Sequence, residues 1–480
     1  MNVLLTTAPH IIKTEFLDFI KGKINLLSGV LPNFGLLYLS SYLKKEGHNV
    51  HFLDGNLTDE STILSFIDEK GINVVGISSN TYEWSDVCNF IDNIKTKYPD
   101  VYVVVGGRHP TFWADNCLKD TNKLDFVVVG EGEITFSELL KKLENKEDLS
   151  SVKGIIYRDN GDIRINRKRE LIPDLDALPL PDRDCIDIRR YHPSPYFYKK
   201  LPHTSMFGSR GCPYKCIFCV STGNFRLRNP ISVVDEIDVC VKKYGIKDIT
   251  FYDETFGTEK NHTLTICDEL VNRNLDVVWS VNAKVDLVDA ELLKAMKAAG
   301  CWRILFGFES GVQKNLTTLK KGTTIEQGIE ANRMAQEAGI EVAGLFMLGI
   351  PGETFEEGLE TINYACKLNT DYAMFGCITP FPGSWLYSHR DKLGEMTEFK
   401  DMTLFRPAFI PNSMTRKELE KLYYLCFFKF YTRWKYIFKR LKGLSSLEDI
   451  KRNFMGFMAV FTMFLSHLID AVRGKNRNGN

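Results

Sequence analysis

The sequence has no excess of either charge: 61 Lys and Arg stand against 61 Asp and Glu. Without a net field, nothing in the composition argues for a nucleic-acid partner. The first ten residues, Met1 to His10, lack a basic leader segment and a cleavage site and read as a β-strand. The 12 cysteines are scattered, with one exception, and do not form a disulfide framework in a chain this long. These exclusions leave a folded, cytoplasmic chain as the expectation. Its 480 residues are enough for two or three domains with full cores.

The exception is the run Gly211-Cys212-Pro213-Tyr214-Lys215-Cys216-Ile217-Phe218-Cys219. Thiolates are the usual ligands of iron–sulfur clusters, which mostly take four of them. A structural zinc site also requires a fourth Cys or His. None is near, and His203, the nearest upstream histidine, fits no ligand spacing. Three ligands would leave one iron open to a substrate or cofactor. The alternative is three chance cysteines in a reduced protein.

Residues 1–150 alternate apolar strands with amphipathic helices. The expected strands are Asn2–Thr6, Val50–Leu53, Val74–Ser78, Val101–Val105 and Phe126–Val129. The expected helices are Gly35–Glu46, Ser61–Asp68, Ser85–Lys97 and Ile134–Leu143. That order predicts an α/β Rossmann-like (flavodoxin-like) domain with a parallel sheet and ligands at the carboxyl ends of its strands. Those ends carry Ser78, Gly106-Gly107-Arg108-His109 and Gly130-Glu131-Gly132-Glu133. Small residues there let a flat, bulky ligand approach the backbone, although glycines alone also make tight turns.

Residues 151–200 read as a connector: a hairpin turning at Asp159-Asn160-Gly161, then a Pro- and Asp-rich linker through Asp182. Residues 201–380 repeat strand and helix six times, which predicts a partial (β/α)6 TIM-type barrel. The cysteine run follows its first strand, on the side where barrel sites lie. Asp253, Ser280, Glu309 and Ile350 are placed at later strand ends of the same mouth. For the carboxylates the plain reading is a solvated loop charge or a helix N-cap. Arg210 and Lys215, flanking the run, either ease negative charge on a reduced cluster or are solvated.

Residues 381–480 read as helical. Leu422–Trp434 is aromatic with interleaved basic residues, and Phe454–Val472 is a second apolar stretch. Together they suggest an interfacial contact peripheral to a membrane; the alternative is that both helices cap the barrel.

The Cys-x3-Cys-x2-Cys spacing, with Phe218 before the third cysteine, resembles the signature of radical S-adenosylmethionine (SAM) enzymes. The resemblance implies a 4Fe-4S cluster on Cys212, Cys216 and Cys219 whose open iron chelates SAM. An electron donor such as flavodoxin or ferredoxin would then drive cleavage to a 5′-deoxyadenosyl radical. Gly307-Phe308-Glu309-Ser310-Gly311 is similar to the family's Gly-x-Glu-Ser-Gly, which implies Glu309 near the ribose or methionine of SAM. It also implies the backbone around Ile350 against adenine. Asp253 stands where the family has Gly-Gly-Glu, without the glycine pair.

The N-terminal motifs resemble the cobalamin-binding domain found ahead of many radical SAM domains. They are Leu31-Pro32-x-Phe34-Gly35-Leu36, Gly106-Gly107-x-His109 and Gly130-Glu131-Gly132-Glu133. That resemblance implies cobalamin contacts at Ser78, Gly106, Gly107, His109, Gly130, Glu131 and Gly132. The cobalt-ligating Asp-x-His-x-x-Gly motif is absent, so the lower face of cobalt is expected to see water or a non-ligating side chain. The whole implies a cobalamin-dependent radical SAM enzyme, foremost a methyltransferase acting on an unactivated carbon of a small or lipid-like substrate. The alternatives are an oxidative cyclase or rearrangement enzyme with the same cofactors, and a non-catalytic cluster- or cobalamin-binding module.

Overall fold

The structure is a computed structural model, and it describes residues 1–9, 29–194, 197–221, 223–397, 402, 407–442 and 450. The apolar stretch Phe454–Val472 and the end of the loop after the first strand, His10 and Ile11, lie outside them.

Alternation at period two sends Val3 and Leu5 of strand β1 (Asn2–Thr7) to one face and Leu4 to the other. Each face finds its own helices. Val3 and Leu5 pack with α1 (Phe34–Lys45) and α6 (Gly132–Asn145). Leu4 packs with α2 (Glu60–Glu69) and α3 (Trp84–Lys97). The other strands are β2 (Asn49–Leu53), β3 (Val74–Ser78), β4 (Tyr102–Gly106) and β5 (Phe126–Val128). Two short helices, α4 (Arg108–Trp113) and α5 (Asn116–Asp120), link β4 to β5. The parallel order 2-1-3-4-5 is flavodoxin-like, as expected.

The hairpin β6 (Ile155–Asp159) and β7 (Asp162–Ile165) departs from its reading as a connector. It extends this sheet, with β6 antiparallel to β5. Ile155 and Ile156, fully or almost fully buried, supply the reason: each packs into one of the two cores of the first domain. The linker is also fixed at both sides. The Asp182 carboxylate accepts from Ser40 and Lys44, each at 2.6 Å, and Arg183 makes a buried 2.6 Å ion pair with Glu236.

The second sheet is wholly parallel, in the order β15-β14-β13-β12-β11-β8. Its strands are β8 (His203–Met206), β11 (Asp248–Phe251), β12 (Val278–Ala283), β13 (Cys301–Glu309), β14 (Glu341–Leu348) and β15 (Tyr372–Cys377). Between β8 and β11 runs a two-residue antiparallel ladder, β9 (Ser209–Arg210) with β10 (Arg226–Leu227). Helices α7 (Pro230–Tyr244), α8 (Lys260–Asn272), α9 (Ala290–Ala298), α10 (Gln313–Thr318), α11 (Ile325–Glu337) and α12 (Phe355–Leu368) connect the strands. The barrel core is built of residues such as Ile237, Trp279, Ile304, Phe346 and Ile362.

Past the barrel lie α13 (Trp385–Leu393), the ribbon β16 (Gly394–Met396) with β17 (Phe409–Pro411), α14 (Arg416–Tyr431) and α15 (Trp434–Lys442). Leu419, Leu422, Tyr423, Cys426 and Phe430 of α14 are buried in the barrel core. The aromatic segment, for most of its length, therefore caps the barrel. Among the described residues no helix is long and apolar enough to cross a membrane.

Candidate active site

The cysteine run is a closed loop. Its base is the β9–β10 ladder, and Gly211 begins it at φ +82°, where a Cβ would lie 2.3 Å from the Asn224 carbonyl oxygen. Only glycine takes that backbone at that distance. Ile217 anchors the middle: its N–H donates to Leu319 O at 3.1 Å and its carbonyl accepts from Leu386 N at 2.9 Å. Its side chain sits in a small core with Leu319, Ile350, Ile378, Leu386 and Phe409, against which Phe218 packs.

Asp253 holds the loop's approach. Its carboxylate accepts from Gly208 N at 2.7 Å and Ser209 Oγ at 2.9 Å. Burial pushes it up to about 6, against the pull of those hydrogen bonds. Expected at the cofactor, Asp253 is instead spent on positioning the strand that leads into the cysteines.

Cys212 is buried, with Sγ 3.3 Å from Thr255 Oγ1, while Cys219 is exposed. Burial raises the Cys216 thiol. Such thiols become thiolates only beside positive charge, which an iron cluster supplies. Among the described residues, no three His, Cys, Asp or Glu side chains converge on one metal ion. Three sulfur donors on one short loop are the ligand type of an iron–sulfur cluster.

Glu309 closes β13 in a left-handed conformation, φ +63°, and its carboxylate pairs with Lys321 Nζ at 2.6 Å. Both side chains are largely buried. A Cβ on Gly307 would come within 2.4 Å of Glu309 Oε1 and 2.6 Å of Lys321 Nζ, so a side chain there would displace the pair. Lys321 also lies close enough to Cys216 to lower its thiol. Lys284 is a second buried cation here, paired with Asp286 and 4.5 Å from the Tyr214 ring centroid. Neither lysine has a local sequence signal: Lys321 reaches Glu309 across α10, by tertiary folding alone.

Ser280 is not at the mouth. Strand β12 runs on to Ala283, which leaves Ser280 inside the barrel with its hydroxyl 3.0 Å from that of Thr250, which in turn meets His203 Nε2 at 3.0 Å. Ile350 is fully buried in the core behind the cysteine loop. Glu353 turns back to accept from Gly349 N and Ile350 N, and Thr354 caps α12.

A cavity of about 350 Å³ lies where the two sheets present their carboxyl ends to each other. Ser78, Gly106, Gly107, Gly130, Glu131 and Gly132 line it from the first domain; Phe207, Gly211 and Val220 line it from the barrel. A Cβ at Gly130 would meet no atom within 4 Å, and at Gly106 or Gly132 nothing closer than 3.8 Å. Side chains at those positions would fill the cavity itself, so the bare backbone keeps a cradle open for a bulky group such as cobalamin.

His109 is absent from that lining. It is 1% exposed, 4.7 Å from the Trp84 ring and 6.0 Å from Trp113, with Nδ1 3.2 Å from Thr81 Oγ1. Burial pushes it down to about 4, so it stays a neutral core ring, and the expected cofactor contact is corrected. Among the described residues lining the cavity there is no histidine.

Glu131 lines the cavity but is committed to the domain contact. It pairs with Arg226 at 2.9 Å and Arg210 at 3.1 Å, and accepts from Ile172 N at 2.7 Å. Burial works to raise its carboxyl; these partners outweigh burial and hold it below its ordinary value. Arg210 also pairs with Glu133 at 2.7 Å. It is thus a strut between domains rather than a solvated group, while Lys215 is exposed.

The B12 binding domain family matches residues 22–140, and the Radical SAM superfamily matches residues 206–365. An uncharacterized methyltransferase of Pyrococcus horikoshii is 32% identical over 438 residues, covering 90% of this chain and 94% of the relative. The anaerobic magnesium-protoporphyrin IX monomethyl ester cyclase of Rubrivivax gelatinosus is 30% identical over 405 residues, covering 82% and 72%. The fold is shared with the cobalamin-dependent SAM radical enzyme OxsB, solved with aqua-cobalamin and SAM bound. The TM-score is 0.73 at 20% identity, covering 96% of this chain and 71% of that one. With both domains matched in order and relatives alike over most of their length, the chain belongs to the cobalamin-dependent radical SAM enzymes.

Proposed function

We propose that the protein transfers a methyl group to an unactivated carbon of a small or lipid-like substrate held between its two domains. The observation that carries this reading is the shared cavity. Gly211 and Val220, which flank the cysteines, line the same space as the glycine cradle of the first domain. When bound, the cluster with SAM supplies a hydrogen-abstracting radical and cobalamin supplies a methyl donor. Two cofactors are needed because a carbon radical is not a nucleophile and cannot displace methyl from the SAM sulfonium.

The residues present have three tasks. Glu131, Glu133, Arg210 and Arg226 hold the domains face to face, which fixes the distance between the reacting groups. Leu36, Leu39, Phe112, Val128 and Phe207 give the cavity apolar walls that keep water from a reactive intermediate. Glu309, oriented by Lys321, presents a carboxylate at the barrel mouth for the polar part of SAM. The relative named a methyltransferase supports the same outcome.

The cyclase relative favours a second reading, oxidation of the substrate with the same cofactors. Turnover with SAM carrying a deuterated methyl group separates the two. The reconstituted protein would be given polar and lipid extracts under strict anaerobiosis and the products weighed by mass spectrometry. Methyl transfer gives a product one labelled methyl heavier. Substrate that loses hydrogen and gains no label would overturn it.

A further inference from the structure

Helix α15 is turned inside out for a helix on a protein surface. An ordinary surface helix buries its apolar stripe and shows its charges to water. Here Trp434, Phe438 and Leu441, spaced to share one face, are 75%, 58% and 58% exposed. Several basic groups point inward instead. Lys439 Nζ is 2.9 Å from Asp371 and 3.0 Å from the Asn369 carbonyl, and Arg440 donates to the Tyr372 hydroxyl. Just before the helix, Arg433 donates to the carbonyls of Phe430 and Cys366. Tyr436, packed on Phe430 and Tyr431 at 5.3 and 5.2 Å, completes the attachment. The helix is thus fastened to the barrel by its polar side and presents its apolar side outward.

Charge says what covers that side. From Lys421 to Lys442 the sequence has seven Lys and Arg and no Asp or Glu, in a chain otherwise balanced to zero. Lys435, on α15 itself, is exposed. An exposed aromatic and aliphatic face with the exposed cation Lys435 beside it, in a segment whose sequence has no acidic residue, is complementary to a bilayer bearing anionic lipid. A second copy of this chain would bring the same positive charge against it.

We infer that α15 docks on an anionic membrane surface, with Trp434, Phe438 and Leu441 entering the headgroup boundary and Lys435 at headgroup level. The helix is fastened to Asp371 and Tyr372, at the amino end of β15, whereas the cysteines follow the carboxyl end of β8. The contact therefore seats the barrel floor on the bilayer and leaves the mouth facing away.

The test is co-sedimentation of the full chain with phosphatidylcholine vesicles, with and without about one quarter phosphatidylglycerol. The protein should sediment with the anionic vesicles, and less so as salt rises from about 0.1 M to about 1 M. Replacing Trp434, Phe438 and Leu441 together by Ser should cut the bound fraction about tenfold. Lys435→Glu should weaken binding to anionic vesicles alone. These side chains are exposed, so an unchanged circular dichroism spectrum is expected for both variants. Failure to sediment with anionic vesicles, or undiminished sedimentation of the triple variant, would overturn the inference. So would a dimer, seen by light scattering, that the triple variant dissolves, because the face would then belong to a second copy.

Discussion

Asp253 illustrates how a single carboxylate serves the chemistry without touching it. It is 3% exposed and organises the turn at Gly208 and Ser209 that aims the chain into the cysteine loop. Its value of about 6, against 3.8 in a free chain, makes stability depend on pH. Between those values the folded protein keeps a proton that the unfolded chain has released. The contribution of Asp253 is therefore complete below pH 3.8 and lost as pH rises through about 6. Asp253→Asn keeps the acceptor oxygen and removes the titration. The variant should gain on the wild type by up to about 3 kcal/mol between pH 4 and pH 7, measured as the difference in urea unfolding free energies at the two ends. A constant difference across that range would show that the carboxyl is not held protonated.

At the scale of elements, the contact between the β5–α6 loop and the β9–β10 ladder governs the site. Glu131 and Glu133 come from one side, Arg210 and Arg226 from the other, and the linker's Ile172 joins them. Arg210→Met would leave Glu133 without its partner at 7% side-chain exposure, at a cost of about 3–5 kcal/mol by analogy with other buried pairs. Chemical denaturation should show this as a loss of stability, with the two domains unfolding in separate steps. One unshifted transition would contradict the strut. None of these pairings is legible in the sequence, because each joins residues 41 to 95 positions apart and leaves no local pattern. Period-two and period-3.6 hydrophobicity, by contrast, marked almost every strand and helix of the first domain, and Val74–Ser78 has the bounds it was expected to have. Where the structure departs from the sequence pattern, long-range packing is the cause. Ser280 was set at a strand end that runs three residues further, and the hairpin was set apart from a sheet whose edge it completes. The aromatic stretch of α14 read equally well as a membrane face or a core face, and only its packing on the barrel decided it.

On the scale of the whole molecule, two α/β units turn the carboxyl ends of their sheets toward one cavity. The cysteines stand on one side of it and a cradle of glycines on the other. Motifs made both halves legible, since the cysteine spacing and the glycine-rich strand ends are local. That they open onto one space, and that Lys321 and Lys284 supply buried positive charge beside the cysteines, required the fold. Joint use of this space by two cofactors underlies the proposed function. It is tested most directly by reconstituting the chain anaerobically with iron, sulfide and hydroxocobalamin, then measuring visible spectra and 5′-deoxyadenosine after adding SAM and dithionite. Bound cobalamin, an iron–sulfur spectrum and SAM cleavage are expected, with the cleavage abolished in Cys212→Ala, Cys216→Ala and Cys219→Ala. Cleavage that persists in those variants, or a well-folded chain with a full cluster that retains no cobalamin, would contradict it.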